Sequence, residues 1–164
     1  MRLSTEIVNP RTPIIDYNSR ILFIGSCFAE RIAEEMNSLN FGIMLNPSGI
    51  SYNPISMADS LCRIASNLPY SPNSLEEHDG RWFSPDHHGA FDADSPENAF
   101  AKIEKKFDSA KNFWNKTSHI VLTFGSSVVW ERNGKIYNNC HKLPQREFSK
   151  RRLNVSEIVE SYDN

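Results

Sequence analysis

Residues 21–29 read Ile21-Leu22-Phe23-Ile24-Gly25-Ser26-Cys27-Phe28-Ala29, and the hydrophobic period changes abruptly within them. The continuous apolar run 21–24 is typical of a strand that is buried on both faces of a parallel sheet. After Gly25 the apolar residues recur at helical spacing instead. They are Phe28, Ile32, Met36 and Leu39, with Ala29 and Ala33 beside them. We therefore predict a buried strand, a tight turn and a helix, with almost no loop between them.

The remaining chain continues this alternation. Residues 41–45 predict a second strand, and Ser56 with Asp59 predicts the start of a helix. Ser95-Pro96 is a strong start signal for a further helix, which should reach about residue 115. Residues 119–124 predict a third buried strand. Residues 128–137 predict a β-hairpin around Asn133-Gly134. Asn154 with Glu157 predicts the start of a last helix. Residues 69–94 are expected to be rich in loops.

This order predicts an α/β fold, a three-layer flavodoxin-like parallel sheet with helices on both faces and a β-hairpin insertion. We expect residues 1–20 to form an extended lead-in and residues 21–164 a single domain. Since the sequence stops soon after a helix start, we expect the C-terminal part of the domain to be missing. The loops after the three strands would converge if the strand order is 2-1-3, which is an assumption at this point.

Composition and charge limit the expected partners, cofactors and location of the protein. The chain has 164 residues, is 39% hydrophobic and carries a formal net charge of only −2, so nothing favours nucleic acid or an anionic membrane as a partner. Three cysteines at wide spacing form neither a disulfide framework nor a zinc pattern, which fits a reducing compartment. Nothing in the sequence implies a metal or a cofactor. Residues 24–27 superficially match a lipobox, but the apolar run before them is too short for a signal peptide. The expected location is cytoplasmic.

Five blocks of sequence, in order, carry a resemblance to a known family. They are Gly25-Ser26-Cys27-Phe28-Ala29, residues 46–54 (Asn-Pro-Ser-Gly-Ile-Ser-Tyr-Asn-Pro), Leu122-Thr123-Phe124-Gly125, Asn139-Cys140-His141-Lys142 and Arg152-Leu153. Together they resemble the GSCFA-domain proteins, which are similar to SGNH (GDSL-like) hydrolases. The resemblance implies a nucleophile after the first strand and oxyanion donors on the loops after later strands.

The register of the first block decides which residue would be the nucleophile. SGNH enzymes begin with Gly-Asp-Ser, so the resemblance places Cys27, in preference to Ser26, at the nucleophile position. A thiol in the first turn of a helix meets the positive end of the helix dipole, which favours the thiolate. The alternative is that Cys27 only packs the joint between strand and helix, while Ser26 caps the helix.

Other site residues follow from the same resemblance. Gly49 or Asn53 would complete an oxyanion hole, although a turn shaped by proline and glycine explains them equally well. Gly125 and Ser126 stand where SGNH enzymes have Gly-x-Asn-Asp, so the third donor is in doubt, and Asn139 is a substitute. His141 is the internal candidate for the base or for substrate binding, and the family's own histidine block is expected beyond residue 164. The histidines at 87 and 88 match a family loop less closely.

The leading hypothesis is a hydrolase (esterase-like) or acyltransferase that acts on a small-molecule or carbohydrate ester through Cys27 or Ser26. The alternative from another class is a non-catalytic module that binds a glycan or metabolite in the same cleft. The missing asparagine of the third block and the loop with Trp82, His87 and His88, which is expected to be exposed, favour binding. A structural fragment whose cysteines only pack is the third possibility.

Overall fold

The structure is a computed structural model, and it describes residues 14–163. The strands are β1 (Arg20–Gly25), β2 (Gly42–Leu45), β3 (Glu76–His78), β4 (Arg81–Phe83), β5 (His119–Thr123), β6 (Val128–Arg132), β7 (Lys135–Tyr137) and β8 (Ser149–Arg152). The α-helices are α1 (Cys27–Ser38), α2 (Pro54–Ala65), α3 (Pro96–Trp114) and α4 (Val155–Glu160). Three short 3₁₀ turns lie at Pro72–Ser74, Gly89–Phe91 and Gln145–Glu147.

The central sheet has the order β2-β1-β5, and all of its pairs are parallel. Phe23 lies beside Leu45 on one side and beside Val121 on the other, so the three strands end at the same edge. This confirms the α/β fold and the strand order on which convergence of the loops depended. Since β1 is in the middle, the residues that follow it emerge between the loops of its two neighbours.

Burial of β1 on both faces is confirmed. Ile21 and Phe23 pack with Ala29 and Ala33 of α1. Leu22 and Ile24 face the other layer, where they pack with Met57 of α2, and α2 and α3 contact each other further along through Ile64, Phe107 and Ala110. Each such large apolar side chain contributes about 1.5–3 kcal/mol through its burial. The turn after β1 is therefore carried on the most deeply buried strand of the sheet.

The predicted apolar face of α1 is partly wrong. Its buried residues are Ala29 and Ala33, whereas Phe28 is 63% exposed and Ile32 39% exposed. The two alanines let α1 lie close to the sheet. The larger apolar residues that precede each of them consequently turn toward solvent.

The predicted hairpin is part of a second, antiparallel sheet of order β7-β6-β8. The turn Asn133-Gly134 has positive φ at both residues, as a type I′ turn requires. The segment predicted to be loop-rich also contains the small hairpin β3–β4. Tyr137 and Arg132 both bind Glu76 of β3, so this hairpin is attached to the second sheet.

The helix starts follow their sequence signals. Ser95 caps α3, and Asn154 with Glu157 forms a capping box at α4. Asn53, rather than Ser56, caps α2. Within residues 14–163, no helix has the length and apolar character needed to cross a membrane.

Candidate functional site at the end of β1

The turn from β1 into α1 is packed directly against the end of β5. A Cβ atom on Gly25 would lie 2.7 Å from the backbone carbonyl oxygen of Thr123, so no larger residue fits there. The Ser26 N–H donates to that carbonyl (3.4 Å) and to the Thr123 hydroxyl (3.1 Å). The loops after β1 and β5 are thus joined at the point where the order of strands reverses.

Ser26 and Cys27 have different surroundings. Ser26 is 8% exposed, and its hydroxyl accepts a hydrogen bond from the Phe28 N–H (3.3 Å) as the N-cap of α1. Its oxygen also lies 3.3 Å from the Thr123 hydroxyl. Cys27, the first residue of α1, is exposed as a free thiol. The structure therefore leaves the thiol open to a ligand and commits the hydroxyl to the helix.

The loop after β2 fixes the same turn from the opposite side. The Gly25 N–H donates to Asn46 Oδ1 (2.8 Å), and the Gly25 carbonyl accepts from the Ser51 N–H (3.0 Å). Both Asn46 and Ser51 are buried. Their remaining polar atoms, Asn46 Nδ2 and Ser51 Oγ, have no hydrogen-bond partner among the described residues.

Tyr52 connects this turn to the loop after β5. Its backbone carbonyl accepts hydrogen bonds from the N–H groups of Gly125 (3.0 Å) and Ser126 (2.9 Å). Its phenol lies beside Cys27. Burial raises the pKa of Tyr52, and the neighbouring Cys27 and Glu30 raise it further. The phenol therefore stays protonated at neutral pH and is available as a hydrogen-bond donor next to the thiol.

A cleft of about 450 Å³ opens beside Tyr52, and we call it the Tyr52 cleft. It brings together three of the residues predicted from the sequence, Asn53, Ser126 and Asn139. Trp130 and Lys150 line its far side, with the Lys150 ammonium 5.2 Å from the centre of the Trp130 ring. An aromatic face, amides and a cation suit a polar organic ligand.

Several predicted oxyanion donors already have partners. The Gly49 N–H donates to the Asn46 carbonyl (2.9 Å), and the Gly125 and Ser126 N–H groups are held by Tyr52. The Asn53 side chain accepts from the Ser56 N–H (2.8 Å) and donates to the Ser56 hydroxyl (3.0 Å). In this conformation, these groups shape the loops around Cys27.

His141 forms a buried pair with Asp92. Its Nδ1 lies 3.0 Å from Asp92 Oδ1, and its ring stacks on Phe83 with a centroid distance of 4.3 Å. Burial lowers the pKa of His141, although Asp92 acts in the opposite direction. The carbonyls of Ser84 and His87 also favour the charged ring, but no described residue meets hydrogen-bond geometry with Nε2. Since Nε2 is buried, the ring presents no accessible nitrogen to a ligand in this conformation.

His87 lies close to this pair. It is 1% exposed, its Nδ1 contacts the Ser84 hydroxyl at 2.9 Å, and Tyr70 and Phe91 surround its ring. Burial lowers the pKa of His87 to about 3, so it is neutral near pH 7. The next residue, His88, instead caps the 3₁₀ turn Gly89–Phe91.

Comparison with known proteins identifies the chain. The model of the GSCFA family matches residues 20–164, which is most of the sequence. The chain belongs to the GSCFA family. Neither a curated protein nor a solved structure matches it.

In this GSCFA chain, the predicted site residues do not all lie together. Ser26 and Cys27 lie at the end of β1, close to the Tyr52 cleft that Asn53, Ser126 and Asn139 line. His141 lies in its separate buried pair. Within residues 14–163, no histidine forms a hydrogen bond with Ser26 or Cys27, and no three metal-ligating side chains come together.

Sequence reasoning missed two residues of the site. Tyr52 stands inside the second matched block, and its position beside Asn53 could have drawn attention to it. Asp92 gives no signal, because it is 49 positions from His141 in a segment without regular periodicity. Both act through contacts that only the assembled loops create.

Proposed function

We propose that this protein is an acyl-transferring enzyme of the SGNH-like type, with Cys27 as its nucleophile. One observation carries the proposal: the Cys27 thiol is exposed at the first turn of α1, whereas the Ser26 hydroxyl is buried as the cap of that helix. The position is the crevice at the ends of parallel strands, where α/β proteins generally bind ligands.

The proposed reaction begins with attack of the Cys27 thiolate on the carbonyl carbon of an ester. A C–S bond forms, the C–O bond to the alcohol breaks, and the alcohol leaves after taking up the proton that the thiol has lost. Water or a second alcohol then attacks the thioester, which releases the acid or a new ester and restores the thiol. The hydrolase and the acyltransferase differ only in this second acceptor.

Two features near Cys27 support charge stabilisation during this reaction. N–H groups in the first turn of a helix lack carbonyl partners within that helix, so they can face a developing oxyanion. The protonated Tyr52 phenol beside Cys27 is a second donor. The Tyr52 cleft next to them has the aromatic and amide groups that suit a carbohydrate ester.

Acylation by an aryl acetate tests the proposal. The protein is mixed with p-nitrophenyl acetate, and intact mass with peptide mapping locates the acetyl group. We expect acetyl on Cys27 as a thioester, lost in Cys27→Ala and retained in Ser26→Ala. Cys62→Ala, which removes a half-buried thiol on α2, is the matched control. Equal labelling of Cys27→Ala and the wild-type protein would contradict the covalent mechanism.

One observation favours a second candidate, a non-catalytic binding module. No histidine among the described residues contacts Cys27, so no base is in place beside the thiol. A binding module predicts that iodoacetamide alkylates Cys27 no faster than a small free thiol at the same pH. Faster alkylation that Tyr52→Phe slows would favour the enzyme.

A further inference from the structure

A second cavity, of about 480 Å³, lies near the turn that precedes Cys27, since its lining residue Asn46 binds the Gly25 N–H. It is bounded by Glu30 in the first turn of α1, by Leu45 and Asn46 at the end of β2, and by one face of α3. It shares no lining residue with the Tyr52 cleft. We call it the α3 cavity.

Three lysines of α3 line the α3 cavity: Lys102, Lys105 and Lys106. Their spacing puts them on one face of the helix. Lys106 is half-buried, and its burial lowers its pKa. No carboxylate of residues 14–163 forms an ion pair with Lys105 or Lys106, and Glu30 is the single acidic residue of the lining. A half-buried ammonium without a counter-charge is costly, and a bound anion would remove that cost.

Asn46 adds a buried donor to the same cavity. It is 5% exposed, and its Nδ2 has no hydrogen-bond partner. The amide cannot simply be turned over, because its Oδ1 accepts the Gly25 N–H at 2.8 Å. The unsatisfied group is therefore an N–H donor, which complements an anionic oxygen and costs free energy while it stays unpaired.

Leu45, Ala90 and Phe91 give the lining an apolar part beside these polar groups. We propose that the α3 cavity binds a carboxylate with an apolar body, such as a fatty-acid anion, with its head group toward Lys106 and Asn46. This inference goes beyond acyl transfer and does not require Cys27 to be a nucleophile.

Calorimetric titration of the intact protein with octanoate tests the proposal. We expect saturable binding at one site per chain, and binding at least about tenfold weaker for 1-octanol, which has the same body without the charge. Lys106→Met should raise the Kd for octanoate about tenfold, because the partly buried charge is the strongest attraction. Lys105→Met, at an exposed position, should raise it by no more than about threefold.

Asn46→Asp tests the buried donor together with the charge at its position. It keeps an acceptor for the Gly25 N–H but replaces Nδ2 with a second oxygen and adds a negative charge, so octanoate binding should fall about tenfold or more. Lys111→Met is the matched control, since Lys111 is on α3 but pairs with Asp108 outside this lining. Cys27→Ala should bind octanoate like the wild-type protein, whatever the acylation assay shows. Absence of saturable binding, equal affinity for 1-octanol, or equal effects of Lys106→Met and Lys111→Met would overturn the proposal.

Discussion

His87 should make the protein sensitive to acid, and the size of the effect follows from its burial. An ordinary histidine has a pKa of about 6.5, whereas burial lowers that of His87 to about 3. Between these values the unfolded chain takes up a proton that the folded protein does not. The stability that comes from keeping His87 neutral is therefore fully present above about pH 6.5. It is lost progressively as the pH falls toward about 3. At about pH 4.5 the loss from this one group is about 3 kcal/mol.

The perturbation is His87→Gln. An amide can still contact the Ser84 hydroxyl that holds His87 Nδ1 at 2.9 Å, but it does not titrate. Urea unfolding of both proteins, followed by far-UV circular dichroism, gives the free energy of unfolding at several pH values. We expect the wild-type protein to lose about 3 kcal/mol more than the variant between neutral pH and about pH 4.5.

The two proteins are compared by how steeply their free energies of unfolding change with pH. This comparison separates the effect of His87 from the effects of other acid-sensitive groups. Carboxylates titrate equally in both proteins, so they cancel in the difference. His141, whose pKa burial also lowers, remains in both proteins, but its charge lowers the pKa of His87, so the difference includes the repulsion between the two rings. His119→Gln, the same exchange at a half-buried histidine at the start of β5, is the matched control for replacing a histidine by glutamine. Parallel curves for the wild-type protein and His87→Gln would refute the reasoning.

Three further predictions concern the free energy of unfolding, measured by urea titration. Gly25→Ala should cost at least about 2 kcal/mol, because the new Cβ would meet the Thr123 carbonyl at 2.7 Å. Gly89→Ala is the control. The nearest atom to its new Cβ would be 3.6 Å away, so it should cost under about 1 kcal/mol. Tyr137→Phe should cost about 1–3 kcal/mol, since it removes a hydroxyl bonded to two charged side chains, and an unchanged midpoint would contradict this. Ser26→Ala should cost about 1 kcal/mol and Ser26→Asp should restore most of it, as expected for a helix cap.

The central sheet could be predicted because its signal is local and strong. A continuous apolar run such as residues 21–24 has few alternatives when a helix follows at once. The face of α1 could not be predicted as well, because periodicity does not show how closely a helix approaches a sheet. Ala29 and Ala33 allow close approach, so they are buried in place of the larger Phe28 and Ile32.

Strand β8 of the second sheet shows where sequence patterns carry no information. Strand β8 has the sequence Ser-Lys-Arg-Arg, and all four residues are exposed. It is a strand because its backbone pairs with β6, whose Val128–Glu131 lie opposite it. Its side chains lie at the surface, where Arg151 forms ion pairs with Glu131 and Glu157. Without apolar alternation, only the partner strand determines its structure.

The candidate site depends both on local sequence signals and on contacts with distant parts of the chain. The turn at residues 25–27 is set locally by the strand before it and the helix after it, so its position could be predicted. The roles of Ser26 and Cys27 within it depend on Thr123 and Tyr52, which belong to two other loops. Thr123 holds the backbone of Ser26 at the buried end of the turn, and the cap directs its hydroxyl into α1. The next residue must then point outward from the helix start. The same hydrogen bonds that withdraw the serine therefore expose the thiol beside the Tyr52 phenol.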